Sequence, residues 1–150
     1  MAKILVMAQS PKSKRNLQSP LKGTRSWEVF RSWTSQANLP LEILEFRNVT
    51  KKFGKLPTIS SKALRGKFLT EILEYPVIVC LGRYAEEAIR GTRELYFPNV
   101  SGWDHFFLPH PSGLNRQLND PNAHHQAVAE LRKAHEKYLT LKTYEGRIST

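Results

Sequence analysis

A single cysteine in 150 residues leaves no internal disulfide and no all-cysteine zinc or iron–sulfur site. Cys80 lies in Val77-Ile78-Val79-Cys80-Leu81, where it is expected to be a small buried hydrophobe, and such cysteine usage fits a reducing, cytoplasmic setting. No apolar run approaches the length needed to cross a bilayer, so no membrane partner is expected. The opening Met1-Ala2-Lys3-Ile4-Leu5-Val6-Met7-Ala8 turns polar at Gln9 and reads as a buried first strand rather than a signal peptide. A phosphate-loop lysine motif is missing. His124, His125 and His135 have no carboxylate or cysteine partners at ligand spacing, so they are expected at the surface and neither metal nor cofactor is implied. Acidic residues are also scarce, 13 against 23 basic ones, and the resulting charge of +10 suits a polyanionic partner.

What is present is ordinary for a globular chain, with 40% hydrophobic and 24% charged residues. The length suits one domain across residues 1–150, expected to act as a monomer. Strand and helix patterns alternate. Lys3 to Met7 reads as a strand, and Ser26 as the N-cap of a helix carrying Trp27, Phe30 and Trp33 toward the core. Asn38-Leu39-Pro40 ends that helix, and Leu41 to Phe46 is a second strand. Ser60 or Ser61 opens an amphipathic helix that runs through Leu73. Pro76 to Leu81 is a β-branched run typical of a central parallel strand, and Gly82 leads into a short helix from Tyr84 to Arg90. Asp120-Pro121 caps a last helix through Leu139, and the residues from about Thr143 to Thr150 are expected to form a loose tail. The alternation predicts an α/β fold, a three-layer α/β/α sandwich with a mostly parallel central sheet.

The stretch with the most chemistry is Leu108-Pro109-His110-Pro111-Ser112-Gly113-Leu114-Asn115-Arg116, which follows the apolar strand Asp104 to Leu108. Two prolines stiffen this loop, and it offers an imidazole, a hydroxyl, a leucine and a cation. Taken alone it reads as a Pro-rich strand-to-helix turn with a surface histidine. Its surroundings favour the functional reading. Lys12, Lys14, Arg15, Lys22 and Arg25 crowd the loop after the first strand, and Lys51, Lys52 and Lys55 crowd the loop after the second. In an open parallel sheet, loops at the carboxyl ends of the strands meet along one edge, so basic loops would converge there on a nucleic acid.

Four separated segments, in order, resemble the uracil-DNA glycosylase superfamily. Ala8-Gln9-Ser10-Pro11 is similar to its water-activating loop. Asn48-Val49-Thr50-Lys51 is similar to the loop with its base-reading asparagine. Val77 to Ala85 resembles a structural stretch of the family, and His110-Pro111-Ser112-Gly113-Leu114 resembles its His-Pro-Ser motif and, in Pro-Ser-Gly-Leu, its mismatch-specific branch. The likeness spans roughly residues 3–140. It implies a monofunctional DNA glycosylase that flips out uracil or a modified pyrimidine, in single- or double-stranded DNA, and hydrolyses its N-glycosidic bond. The resemblance gives Asn48 the reading of the base, with Gln9 also among the base-binding residues, His110 the donor that stabilises the departing base anion, and Ser10, with backbone groups near Gln9, the placing of the water. Leu21 becomes an apolar wall against the base. Lys12, Lys51, Ser112, Gly113 and Arg116 become DNA contacts, and Leu114 the wedge that fills the vacated stack. The chain departs from the pattern at Ser10, where the family usually has aspartate or asparagine. It departs again at Leu21, where an aromatic ring is usual, and in having a single cysteine, which excludes the iron–sulfur branch. Two alternatives follow from these departures: a DNA-binding module on the same fold that has lost hydrolysis, and a relative acting on hypermodified bases.

Overall fold

The first strand has no polar residue at all. In the computed structural model, which describes residues 3–8, 25–48, 69–97, 105–111 and 116–149, that strand is β1 (Ile4–Ala8), with all five residues buried. It lies inside a four-stranded parallel sheet of order β2-β1-β3-β4, with β2 at Leu44–Asn48, β3 at Ile78–Leu81 and β4 at His105–Leu108. A parallel strand buried on both faces needs a helical layer on each side. Ile4, Val6 and Ala8 point into one core with Phe30 and Trp33 of α1 (Arg25–Gln36) and Ala127, Leu131 and Ala134 of α4 (Pro121–Ser149). Leu5 and Met7 point into the other, with Ile72 of α2 (Leu69–Glu74) and Ala85, Ala88 and Ile89 of α3 (Arg83–Tyr96). The expected three-layer α/β/α sandwich is therefore present, and its sheet is wholly parallel among the described residues.

The helix ends follow local chemistry. At the close of α1, Asn38 adopts a left-handed φ of 55°, and the N–H groups of Asn38 and Leu39 donate to the carbonyls of Ser35 and Thr34. That is a Schellman cap, with Leu39 buried behind it. At the start of α4, an Asp120 carboxylate oxygen accepts the Asn122 N–H at 2.9 Å and Pro121 takes the first helical position, as expected.

Several expectations need correction. Ser26 is not the N-cap: α1 begins at Arg25, and Ser26 lies inside its first turn, buried on the same face as Phe30 and Trp33. The second strand starts at Leu44, because Pro40 leads into a 3-10 turn at Leu41–Ile43 that leaves Leu41 exposed. The helix after Gly82 runs to Tyr96 rather than Arg90. Gly91 is buried within it, and Thr92 Oγ1 donates to the Ala88 carbonyl, so the helix passes through the glycine without stopping. The loose tail from Thr143 is absent as far as Ser149, since α4 continues to that residue. No residue from Lys142 to Glu145 breaks a helix, and extending an existing helix costs far less than starting one.

His124 is also misplaced by the surface reading. The Trp33 Nε1–H donates to its Nδ1 at 3.0 Å, and its Nε2 lies 2.9 Å from the Leu118 carbonyl oxygen. An Nδ1 that accepts fixes the Nε2–H tautomer, which then donates to Leu118. His124 thus ties α1, α4 and the turn at Arg116–Asn119 together.

Cys80 is fully buried, as expected. Burial first, and the Glu86 carboxylate second, push its thiol up from the ordinary 9.0. Below about pH 9, the ordinary thiol value, the thiol is largely neutral whether the chain is folded or not, and its burial stabilises fully. Above that, the unfolded chain releases the proton and the folded chain keeps it, so stability falls by about 1.4 kcal/mol per pH unit for this one group. Urea titrations between pH 8 and 10.5 are expected to show a steeper loss for the native chain than for Cys80→Ala. Parallel losses would place the alkaline sensitivity elsewhere.

Candidate functional site at the carboxyl edge of the sheet

The strands end together. Ala8 stands opposite Asn48 and Leu81 opposite Leu108, and the Met7–Cys80 pairing, continued by one residue, sets Ala8 beside Leu81. Asn48, Ala8, Leu81 and Leu108 therefore form one row across the carboxyl edge. The chain reverses its direction of travel here. From β1 it crosses by α1 to β2, then returns over the other face by α2 to β3, so β1 and β3 flank a topological switch point. In open parallel sheets, ligands bind outside the carboxyl ends of the strands at such a point.

Gly82 is the first residue beyond this row. Its φ of 90° and ψ of 166° lie in a region that is essentially open to glycine alone. Its N–H donates to the Leu108 carbonyl at 2.8 Å, carrying the β3–β4 ladder one step past the strands. A Cβ built on Gly82 would stand 3.1 Å from His110 Cβ, 3.5 Å from its Cδ2 and 3.7 Å from its Cα. So the chain beyond β4 leans onto the end of β3, and the half-buried His110 rests against a backbone that has room for it only because residue 82 lacks a side chain. Pro111, next to His110, is buried and anchors the loop.

Gly82 is also the N-cap of α3, its carbonyl accepting the Glu86 N–H at 3.1 Å. The N–H groups of the first turn point out of the helix with no partner within it, and the helix dipole favours negative charge beside them. The imidazole of His110 thus sits next to a backbone that attracts an anion. Cys80 adds no thiolate chemistry here, since its buried thiol stays neutral.

Among the expected site residues, His110 and Asn48 are brought to the same edge. The backbone of Asn48 ends β2, two strands away from β3, or about 10 Å at ordinary strand spacing. Arg116 begins the 3-10 turn at Arg116–Asn119 that leads into α4. Gln9, Ser10, Lys12, Leu21, Lys51, Ser112, Gly113 and Leu114 lie outside the described residues. Among the described residues no group of three or more His, Cys, Asp or Glu side chains is arranged to hold a metal, and no helix is long and apolar enough to cross a membrane.

One feature of this edge was not expected. A cleft of about 540 Å³ opens beside Gly82 and Pro109, between the first turns of α3 and α4. The strand–Gly–helix signal at Gly82 marks one wall of it. The other wall comes from α4, far along the chain, and no local pattern joins the two. No protein-family model matches the chain, and no curated protein matches it.

Proposed function

We propose that the chain is a monofunctional DNA glycosylase, acting on uracil or a modified pyrimidine flipped out of DNA. The observation that carries the reading is the contact of His110 with Gly82 at the carboxyl edge, in the same row of strand ends that Asn48 closes. Breaking the glycosidic bond leaves a cation-like sugar and an anionic base. The anion is best stabilised by donors already aimed at the place where its charge develops. His110 is that donor, next to the N-terminal turn of α3, whose dipole favours the same charge. Asn48 reads the base through an amide that both donates and accepts. Ser10 orients the attacking water, with Gln9 beside it, and Leu21 lines the base pocket.

Basic residues supply the grip on DNA. Lys12, Lys51 and Arg116 meet phosphates, Ser112 and the amides around Gly113 clamp the strand, and Leu114 fills the gap left by the flipped base. Ser10 and Leu21 also favour a second reading, a DNA-binding module on this fold that no longer hydrolyses. A changed pocket would equally suit hypermodified bases.

Two results test the DNA reading together. Binding to a duplex is expected to weaken about 40- to 150-fold between 50 and 200 mM salt if three or four phosphates are neutralised. Leu114→Ala is expected to slow excision from duplex DNA severalfold more than from single strands, where little unstacking is needed. Affinity indifferent to salt would point to a small molecule or a protein instead. Equal losses on both substrates would remove the wedge role from Leu114.

A further inference from the structure

We propose that the cleft between the first turns of α3 and α4 holds a second nucleobase, the neighbour of the flipped nucleotide on the same single strand. The inference rests on the glycosylase reading and adds a subsite to it. Position comes first. Gly82 touches His110 and also lines the cleft, and Pro109, the residue before His110, forms part of its wall. A base held at His110 and a base held in the cleft are therefore neighbours.

The chemistry of the walls points to a base rather than a phosphate. Glu86 and Asp120 both line the cleft; Arg90 partly balances Glu86 at 3.2 Å, and Asp120 on the facing wall still disfavours a phosphate inside. Phe107, an aromatic residue left 38% exposed on β4, gives a flat surface for stacking. The primary amides of Asn122 and Gln126 each offer a donor and an acceptor suited to a base edge, and the carboxylates can accept from an exocyclic amino group. Arg83, exposed on the same wall, is placed for a phosphate outside. A volume of about 540 Å³ is within the usual range of small-ligand sites, about 300–1,000 Å³. The walls favour adenine, cytosine or guanine over thymine, which has no amino group to donate. In a duplex the neighbour stays paired and stacked, so the cleft acts only on single strands.

The test is excision from single-stranded oligonucleotides in which the target pyrimidine is flanked, on the 5′ or the 3′ side, by adenine, thymine or an abasic residue. On one side, the abasic flank is expected to raise KM roughly five- to tenfold over adenine with kcat unchanged, thymine falling between. Phe107→Ala is expected to bring the adenine-flanked substrate to the abasic value, and Gln126→Ala to narrow the gap between adenine and thymine. Duplex kinetics are expected to stay as they are in both variants. Rates indifferent to the flank, or a flank effect that survives Phe107→Ala, would overturn the subsite. Binding of the same strands with 2-aminopurine as the flank, followed by its fluorescence, separates the two readings without any excision. A Phe107-dependent signal with no excision from any strand would leave the cleft as a base site and remove the glycosylase activity. Excision with no such signal would do the reverse, and the loss of both would remove both.

Discussion

Replacing His110 by alanine is expected to slow base excision about a hundredfold or more while leaving DNA affinity close to that of the native chain. A donor that meets the base carbonyl as negative charge develops acts mainly in the transition state, so its loss appears in the rate rather than in binding. Removing one donor of an oxyanion-type site costs roughly 2.7–4 kcal/mol, or about a hundred- to a thousandfold. Single-turnover excision alongside direct titration of the same oligonucleotide separates the two quantities. Equal losses in rate and affinity would mean that His110 only helps to hold DNA. Ser10→Ala is expected to cost less, because a neutral hydroxyl orients water without removing its proton.

The second large effect is expected at a residue with no side chain. Gly82→Ala forces an L-residue into a backbone region that costs about 1–3 kcal/mol to occupy. It also puts a methyl group 3.1 Å from His110 Cβ. The neighbour must give way by a few tenths of an ångström, which shifts His110 from its present seat. Melting is expected several degrees lower, and excision roughly ten- to a hundredfold slower, since a catalytic group displaced by about 1 Å can cost about a hundredfold. Affinity for duplex DNA is expected to hold, because Gly82 has no side chain to lose and the cleft that it lines acts only on single strands. An excision rate equal to the native one in Gly82→Ala would show that the present seat of His110 is not required for the chemistry.

The parts of this fold that were legible in the sequence are those set by local chemistry. Asp120-Pro121 announces a helix start because its two requirements, an acceptor for an orphan N–H and a residue lacking one, are adjacent in the chain. Asn38 ends α1 because asparagine tolerates a left-handed backbone. The run from Val77 to Leu81 reads as central because it has no polar side to give to water. What was not legible depends on partners distant in sequence. The helix after Gly82 continues through Gly91, a residue that costs a helix interior stability, and nothing local in the chain announces this. His124 is indistinguishable from a surface histidine without Trp33, 91 positions away.

The same division runs through the candidate site. The His110 loop and the glycine after β3 can each be picked out in the sequence, and so can Asn48, although it is the last residue of β2 rather than part of the loop beyond it. Their common level cannot, because the register of parallel strands is set by how the helices pack on the two faces. The cleft beside Phe107 was invisible for the same reason, since β4, α3 and α4 contribute to it from three stretches of the chain.

Hydrolysis of an N-glycosidic bond is the activity proposed for this edge of the sheet. It is tested most directly by the products formed from oligonucleotides carrying uracil, hydroxymethyluracil and other altered pyrimidines, quantified as free base and as abasic sites. At least one pyrimidine is expected to be released, with one abasic site for each free base and no strand break before alkali is added. Tight binding of every oligonucleotide in the set with all glycosidic bonds intact would contradict it and leave a DNA-binding module in its place.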